Sequence, residues 1–230
     1  MKRLVTAALV LAACGGEQAP VLPGDWDDAS RQILAGAERT MGGAAVGLVD
    51  GLVTEADVAG PGDPFRTIIH SARDGRMRME QTTGFRAGRD AAGWWLFDPR
   101  TGAADTLDAF GILFARGHEL HMRALSPGTR FTGGRAQGEV VLDGERLLVV
   151  RATVTDGEEI LLYFHAADTL PAGQRVLGTE PHVVVRFADW DTVAGLRLFR
   201  TATFDQGAER YVYTFTRLEP GALEDAAFNR

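Results

Sequence analysis

Few side chains in the 230-residue chain stand at spacings that chemistry uses. His118-Glu119-Leu120-His121 is the one metal-like spacing, because two histidines three apart on a helix share a face and can share an ion. It falls one residue short of the H-E-x-x-H pattern of zinc peptidases. A third ligand would have to come from His70, His165, His182 or a carboxylate, and no spacing singles one out. The sequence therefore favours a partly exposed pair whose charge suits a helix C-terminus over a metal centre on His118 and His121. Asp189 and Asp191, flanking Trp190, are assigned to a turn, where they are solvated residues and not an acid/base pair. No G-x-S-x-G elbow occurs, and neither Gly84-Phe85-Arg86-Ala87-Gly88 nor Thr132-Gly133-Gly134 has the lysine of a phosphate-binding loop. The expectation is a protein without enzymatic activity that needs no cofactor.

The one cysteine, Cys14, stands in a different context. Lys2 and Arg3 precede an apolar run from Leu4 to Leu11 and the small residues Ala12 and Ala13, which is the order of parts in an export signal and too short to span a bilayer. Leu11-Ala12-Ala13-Cys14 resembles the lipobox of bacterial lipoproteins. That resemblance implies a diacylglyceryl group on the Cys14 sulfur and a new N-terminus at Cys14. Each buried acyl methylene contributes about 0.8 kcal/mol, so two or three chains would hold the protein at a membrane permanently. Residues 15–24, GGEQAPVLPG, read as a flexible tether. The expected organisation is a signal peptide over 1–13, an anchored tether over 14–24 and one domain over 25–230. Gly15-Gly16 lacks the aspartate that keeps many lipoproteins at an inner membrane. Resemblance to that sorting rule points to the periplasmic face of an outer membrane in a cell that has two.

Composition bounds the partners. A formal charge of −7 argues against nucleic acid, and 45% hydrophobic residues suffice for a packed core. With no second cysteine, neither a disulfide framework nor a multi-cysteine metal site is available. After the signal, no apolar run is long enough to span a bilayer. The expected partners are the membrane, through the lipid, and a lipid or lipoprotein ligand; no envelope protein partner is specified.

Stepping along the chain, Asp27 to Met41 has one apolar stripe, Ile33, Leu34, Ala37 and Met41. Asp28 or Ser30 can cap it and Gly42-Gly43 stops it, which predicts a helix. Strand patterns follow over 44–58, 65–72 and 76–82, the last two flanking the hairpin dipeptide Asp74-Gly75. Met77 and Met79 alternate with Arg76, Arg78 and Glu80, so one face is apolar. Gly93 to Phe97 is an aromatic strand. Leu107, Phe110, Leu113, Phe114 and Leu120 suggest one or two helices between residues 105 and 124. Strands then recur over 140–142, 147–154, 160–165, 182–187, 196–204 and 211–218, with Asp143-Gly144 as a second hairpin signal. Helix, strands, helices and strands again predict an α+β fold. Its curved, mostly antiparallel sheet forms an incomplete β-barrel with helices across the concave side.

That order resembles the LolA/LolB/LppX group of envelope carriers. The features that carry the resemblance are the initial helix, Gly93-Trp94-Trp95-Leu96-Phe97-Asp98-Pro99 and the mid-chain helical insertion. A late Tyr163-Phe164 strand leading to residues 187–196 completes it. The resemblance implies a cavity between sheet and helices that takes up an acyl chain or another hydrophobic molecule. Met77, Met79, Trp94 and Leu96 are the expected lining. The rival readings are an envelope scaffold or interaction module whose core is filled and, less favoured, a metal-dependent enzyme using His118 and His121.

Overall fold

The computed structural model describes residues 23–99, 101–107, 112, 115–154, 157–180 and 182–229. Cys14, the tether through residue 22, and Phe110, Leu113 and Phe114 lie outside them.

Helix α1 (Asp28–Met41) buries Leu34, Ala37 and Met41. Its cap is Asp27, one residue before Asp28 and three before Ser30, the two expected: extended backbone there lets the carboxylate accept the Ser30 amide at 2.8 Å. The strand expected from residue 44 begins later. Gly42 and Gly43 turn the chain sharply, and a short helix α2 (Ala44–Gly47) seats Val46 in the core before the strand starts.

Fourteen strands among the described residues form one sheet. In chain order they are β1 (Asp25–Trp26), β2 (Gly51–Ala59), β3 (Phe65–Ala72), β4 (Met77–Gln81), β5 (Arg86–Asp90), β6 (Gly93–Asp98) and β7 (Ala103–Thr106), then β8 (Phe131–Leu142), β9 (Glu145–Val154), β10 (Glu159–His165), β11 (Pro171–Val176), β12 (Val183–Val193), β13 (Leu196–Gln206) and β14 (Glu209–Gly221). The spatial order is β1-β8-β9-β10-β11-β12-β13-β14-β2-β3-β4-β5-β6-β7. All pairs are antiparallel except β1 with β8. Each half of the chain is thus a meander, and β14 joins them by pairing with β2 from Val212–Ala59 to Gly221–Gly51. The sheet curves without closing, its edges being β1 and β7.

Turn chemistry sets the registers. Asp143 and Gly144 both have positive φ, 51° and 85°, as the two-residue turn between β8 and β9 requires. Ala194 and Gly195 do the same between β12 and β13. That tight turn places Asp189 and Asp191 within β12, so their assignment to a turn is corrected. Asp189 sits at a positive-φ irregularity of the strand, and its carboxylate accepts the Thr201 hydroxyl at 2.6 Å. Asp191 pairs with Arg200 at 2.9 Å. Gly133 and Gly134 belong to β8 because β1 lies against them: a Cβ at Gly133 would stand 2.3 Å from the Asp25 carbonyl oxygen.

The main core lies between the concave face and helices α1, α2 and α3 (Leu120–Leu125), which α4 (Pro127–Arg130) follows. It includes Leu34, Met41, Leu52, Leu120, Met122, Phe131, Ile160, Leu198 and Phe199. The opposite face of β4 and β5 is covered by a C-terminal 3-10 helix, Asp225–Phe228. There the Arg76 guanidinium lies over the Phe228 ring at 4.8 Å and Arg78 donates to the Asn229 carbonyl at 2.8 Å.

Candidate functional site

The roof over the concave face, residues 115–130, carries an unusual number of buried polar groups: Arg116, His118, Glu119, His121, Arg123, Ser126 and Arg130. Its apolar residues, Leu120, Met122, Ala124 and Leu125, are distributed all round α3, the pattern of a helix buried on every side. The polar residues between them are therefore buried as well, and each must find a partner.

Glu119 meets Arg130. The carboxylate accepts from Nη2 at 2.8 Å, and the two side chains are 2% and 5% exposed. The same nitrogen donates to the Ala72 carbonyl at 2.7 Å, while Nη1 donates to the Arg73 carbonyl at 3.1 Å. Arg73 in turn donates to the carbonyls of Val49 and Val46, at 2.8 and 2.5 Å. One chain of charge-assisted hydrogen bonds thus ties the roof to the β3–β4 hairpin and to the end of α2.

The two histidines separate. His121 donates Nε2–H to the Phe199 carbonyl at 2.9 Å and stacks on the Phe199 ring at 3.8 Å; Phe187 stacks on Phe199 at 4.2 Å. His118 Nε2 shares a hydrogen bond with the Tyr213 hydroxyl at 3.0 Å. Burial, together with the positive charge of Arg200, pushes the His121 imidazole down to about 3 despite its bond to Phe199. The expected partly exposed, charged pair at a helix C-terminus is corrected accordingly. Both rings are buried, and His121 lies in the first turn of α3 as a neutral donor. His165 and His182 stand near Glu145 and Glu180, and His70 lies half-buried on β3. Among the described residues no three His, Cys, Asp or Glu side chains gather to hold a metal.

Among the described residues one cavity opens between the roof helices and another between the roof and the sheet. The larger, about 250 Å³, lies between α1, α2, α3 and α4, lined by Leu34, Ala37, Val46, Ala124, Leu125 and Pro127, with Glu38, Arg73, Ser126 and Thr129 as its polar margin. The smaller, about 20 Å³, lies towards β10–β12, among Leu34, Leu120, Leu162, Phe164, Phe187, Arg123 and Gln174. Leu34, Ala124 and Pro127 belong to both walls. Met77, Met79, Trp94 and Leu96, the lining expected from sequence, line neither. They pack into a second core with Ile69, Ala87, Leu107 and Ala115, and the Arg116 guanidinium lies over Trp94 at 5.2 Å. Leu107, Ile112 and Ala115, from the chain before α3, pack against them.

Solved structures share this architecture. A DUF1329 family protein from Desulfovibrio piger superposes with a TM-score of 0.63 at 12% identity, covering 88% of this chain and 98% of its own. A LolA superfamily protein from Nitrosomonas europaea gives 0.60 at 15% identity, with 87% and 97% covered. A putative outer membrane lipoprotein-sorting protein domain from Vibrio parahaemolyticus gives 0.55 at 13%, with 85% and 95% covered. No protein-family model matches the sequence, and no curated protein matches it. At these identities the likeness shows the fold: an incomplete β-barrel of LolA type.

Two outcomes follow for the roof. Glu119→Gln removes the carboxylate charge that Arg130 meets in the interior, and urea unfolding is expected to show a loss of about 3 kcal/mol. A cost below about 1 kcal/mol would mean that the pair is not a buried structural link. For His121, the unfolded imidazole takes a proton near 6.5 whereas the folded one resists to about 3. The unfolded state binds more protons across that window, so stability falls as pH drops through it, by about 2 kcal/mol between pH 6.5 and 5 from this group. His121→Gln keeps the donor without the titration. Denaturation at the two pH values should show the variant losing less than the wild type by that amount, and equal losses would contradict the neutral buried assignment.

Proposed function

We propose that the protein is a lipid-anchored cell-envelope protein that binds, and hands on, an acyl chain or similar hydrophobic ligand in the space between its sheet and its roof. The observation that carries the reading is the 250 Å³ cavity, walled by residues of α1, α2, α3 and α4 together with Arg73 of the β3–β4 turn. An engineered apolar cavity of about 150 Å³ takes benzene, so this volume suits roughly ten carbons. At about 0.8 kcal/mol per buried methylene, such a segment is a substantial binding element. The fold shared with the putative outer membrane lipoprotein-sorting protein domain of Vibrio parahaemolyticus supports this reading. The lipobox-like Leu11-Ala12-Ala13-Cys14 would place the cavity within tether's reach of a bilayer, on the periplasmic face of an outer membrane where the cell has one.

A scaffold with a filled core is the second reading, and one observation favours it: the stack of Phe187, Phe199 and His121 occupies the concave face beneath α3. Mass spectrometry of solvent extracts separates the two. Protein purified without detergent is expected to carry near-stoichiometric acyl lipid, and Ala124→Trp, which puts a bulky ring at a wall residue of both cavities, is expected to carry little. Wild-type protein that holds no lipid and takes up no fluorescent acyl probe would refute the binding function and leave the scaffold.

A further inference from the structure

Arg123 is the odd member of the roof. Its residue is 4% exposed, yet Nη2 is buried without a hydrogen-bond partner, and Nη1 reaches Gln174 Oε1 only at 3.4 Å, a weak contact. Glu119 acts on it through its field but is bonded to Arg130, and Glu158 likewise acts at a distance. Burial lowers the Arg123 guanidinium to about 10, so it remains charged at neutral pH. A buried cation with unused donors is costly unless something anionic completes it. The space beside it is the small cavity, whose other walls are Leu34, Leu120, Phe164, Phe187 and Gln174.

We propose that Arg123 and Gln174 form the head-group site for a single-chain carboxylate, a fatty acid. Its two oxygens would take up the free edge of the guanidinium, and its tail would cross between Leu34, Ala124 and Pro127 into the larger cavity. The site deepens the hydrophobic-ligand reading above and rests on it. Three features fit a carboxylate. The guanidinium presents paired donors that match its geometry. The chamber of about 20 Å³ admits a group only slightly larger than a water, too small for a glycerophosphate. Leu34, Ala124 and Pro127 are common to the walls of both cavities, so the partition that the tail would pass is itself apolar.

The test compares palmitic acid with hexadecanol and with a C16 lysophosphatidic acid at pH 7.5, by displacement of a fluorescent acyl probe from delipidated full-length protein. Wild type is expected to bind the acid at least tenfold more tightly than the alcohol and more tightly than the phosphate. In Arg123→Met the acid is expected to fall to the alcohol's affinity while the alcohol is unchanged, and Arg123→Lys is expected to keep part of the preference. Equal affinity of wild type for acid and alcohol overturns the head-group site while leaving hydrophobic binding intact. Preference for the phosphate overturns the carboxylate assignment. Failure of all three to bind removes the cavity reading itself. The wild-type comparison decides the matter even if Arg123→Met does not fold.

Discussion

An open, strongly curved sheet exposes a concave apolar face that no strand can cover, and here the cover is made of helices too short to be stable alone. α3 has six residues and α4 four, so their helical form must come from what they are fastened to. The fastening is largely polar. Glu119 and Arg130 meet in the interior, Arg130 carries the link to the Ala72 and Arg73 carbonyls, and the side chain of Arg73 extends it to α2. Packing supplies the rest, with His121 seated on Phe199 and Leu120 in the main core. A buried ion pair contributes little net stability over an apolar substitute but strongly penalises any arrangement that leaves one partner alone. The pair therefore fixes where the roof sits more than how tightly it is held.

The roof is set by directional bonds at α4 and by stacking at His121, and between them Leu34, Ala124 and Pro127 stand in the walls of both cavities. The second core under β3 to β6, where Met77 and Met79 have no exposed surface, is by contrast a permanent part of the fold.

Much of the architecture was legible in the sequence because it follows from local rules. The α+β class, helix α1, the hairpin turns at Asp74-Gly75 and Asp143-Gly144, and the late run of strands all rest on periodicity and turn chemistry. β5, β7 and β11 were not legible. They are short, and Arg86–Asp90 and Pro171–Val176 contain glycine or proline and little alternation, so their strand form comes from neighbours in the sheet. The site was legible only in outline. An apolar face at Met77 and Met79 was correctly read as buried, but which side of a curved sheet keeps open space depends on how the roof falls across it. The histidine spacing drew attention to the right segment for the wrong chemistry. Its true signal was the all-round apolarity of residues 120–125, which obliges the neighbouring charges to be buried and paired.

The account stands on the Glu119–Arg130 link holding the roof as a unit distinct from the sheet. Native-state hydrogen exchange compares the amides of Arg123 and Ser126, which bond to the carbonyls of Glu119 and Met122, with those of β13 and β14. In Arg130→Met the roof amides are expected to exchange roughly a hundredfold faster than in wild type, the equivalent of about 3 kcal/mol, while the strand amides keep their protection. Roof amides that exchange at the wild-type rate, or strand amides that lose protection equally, would contradict it.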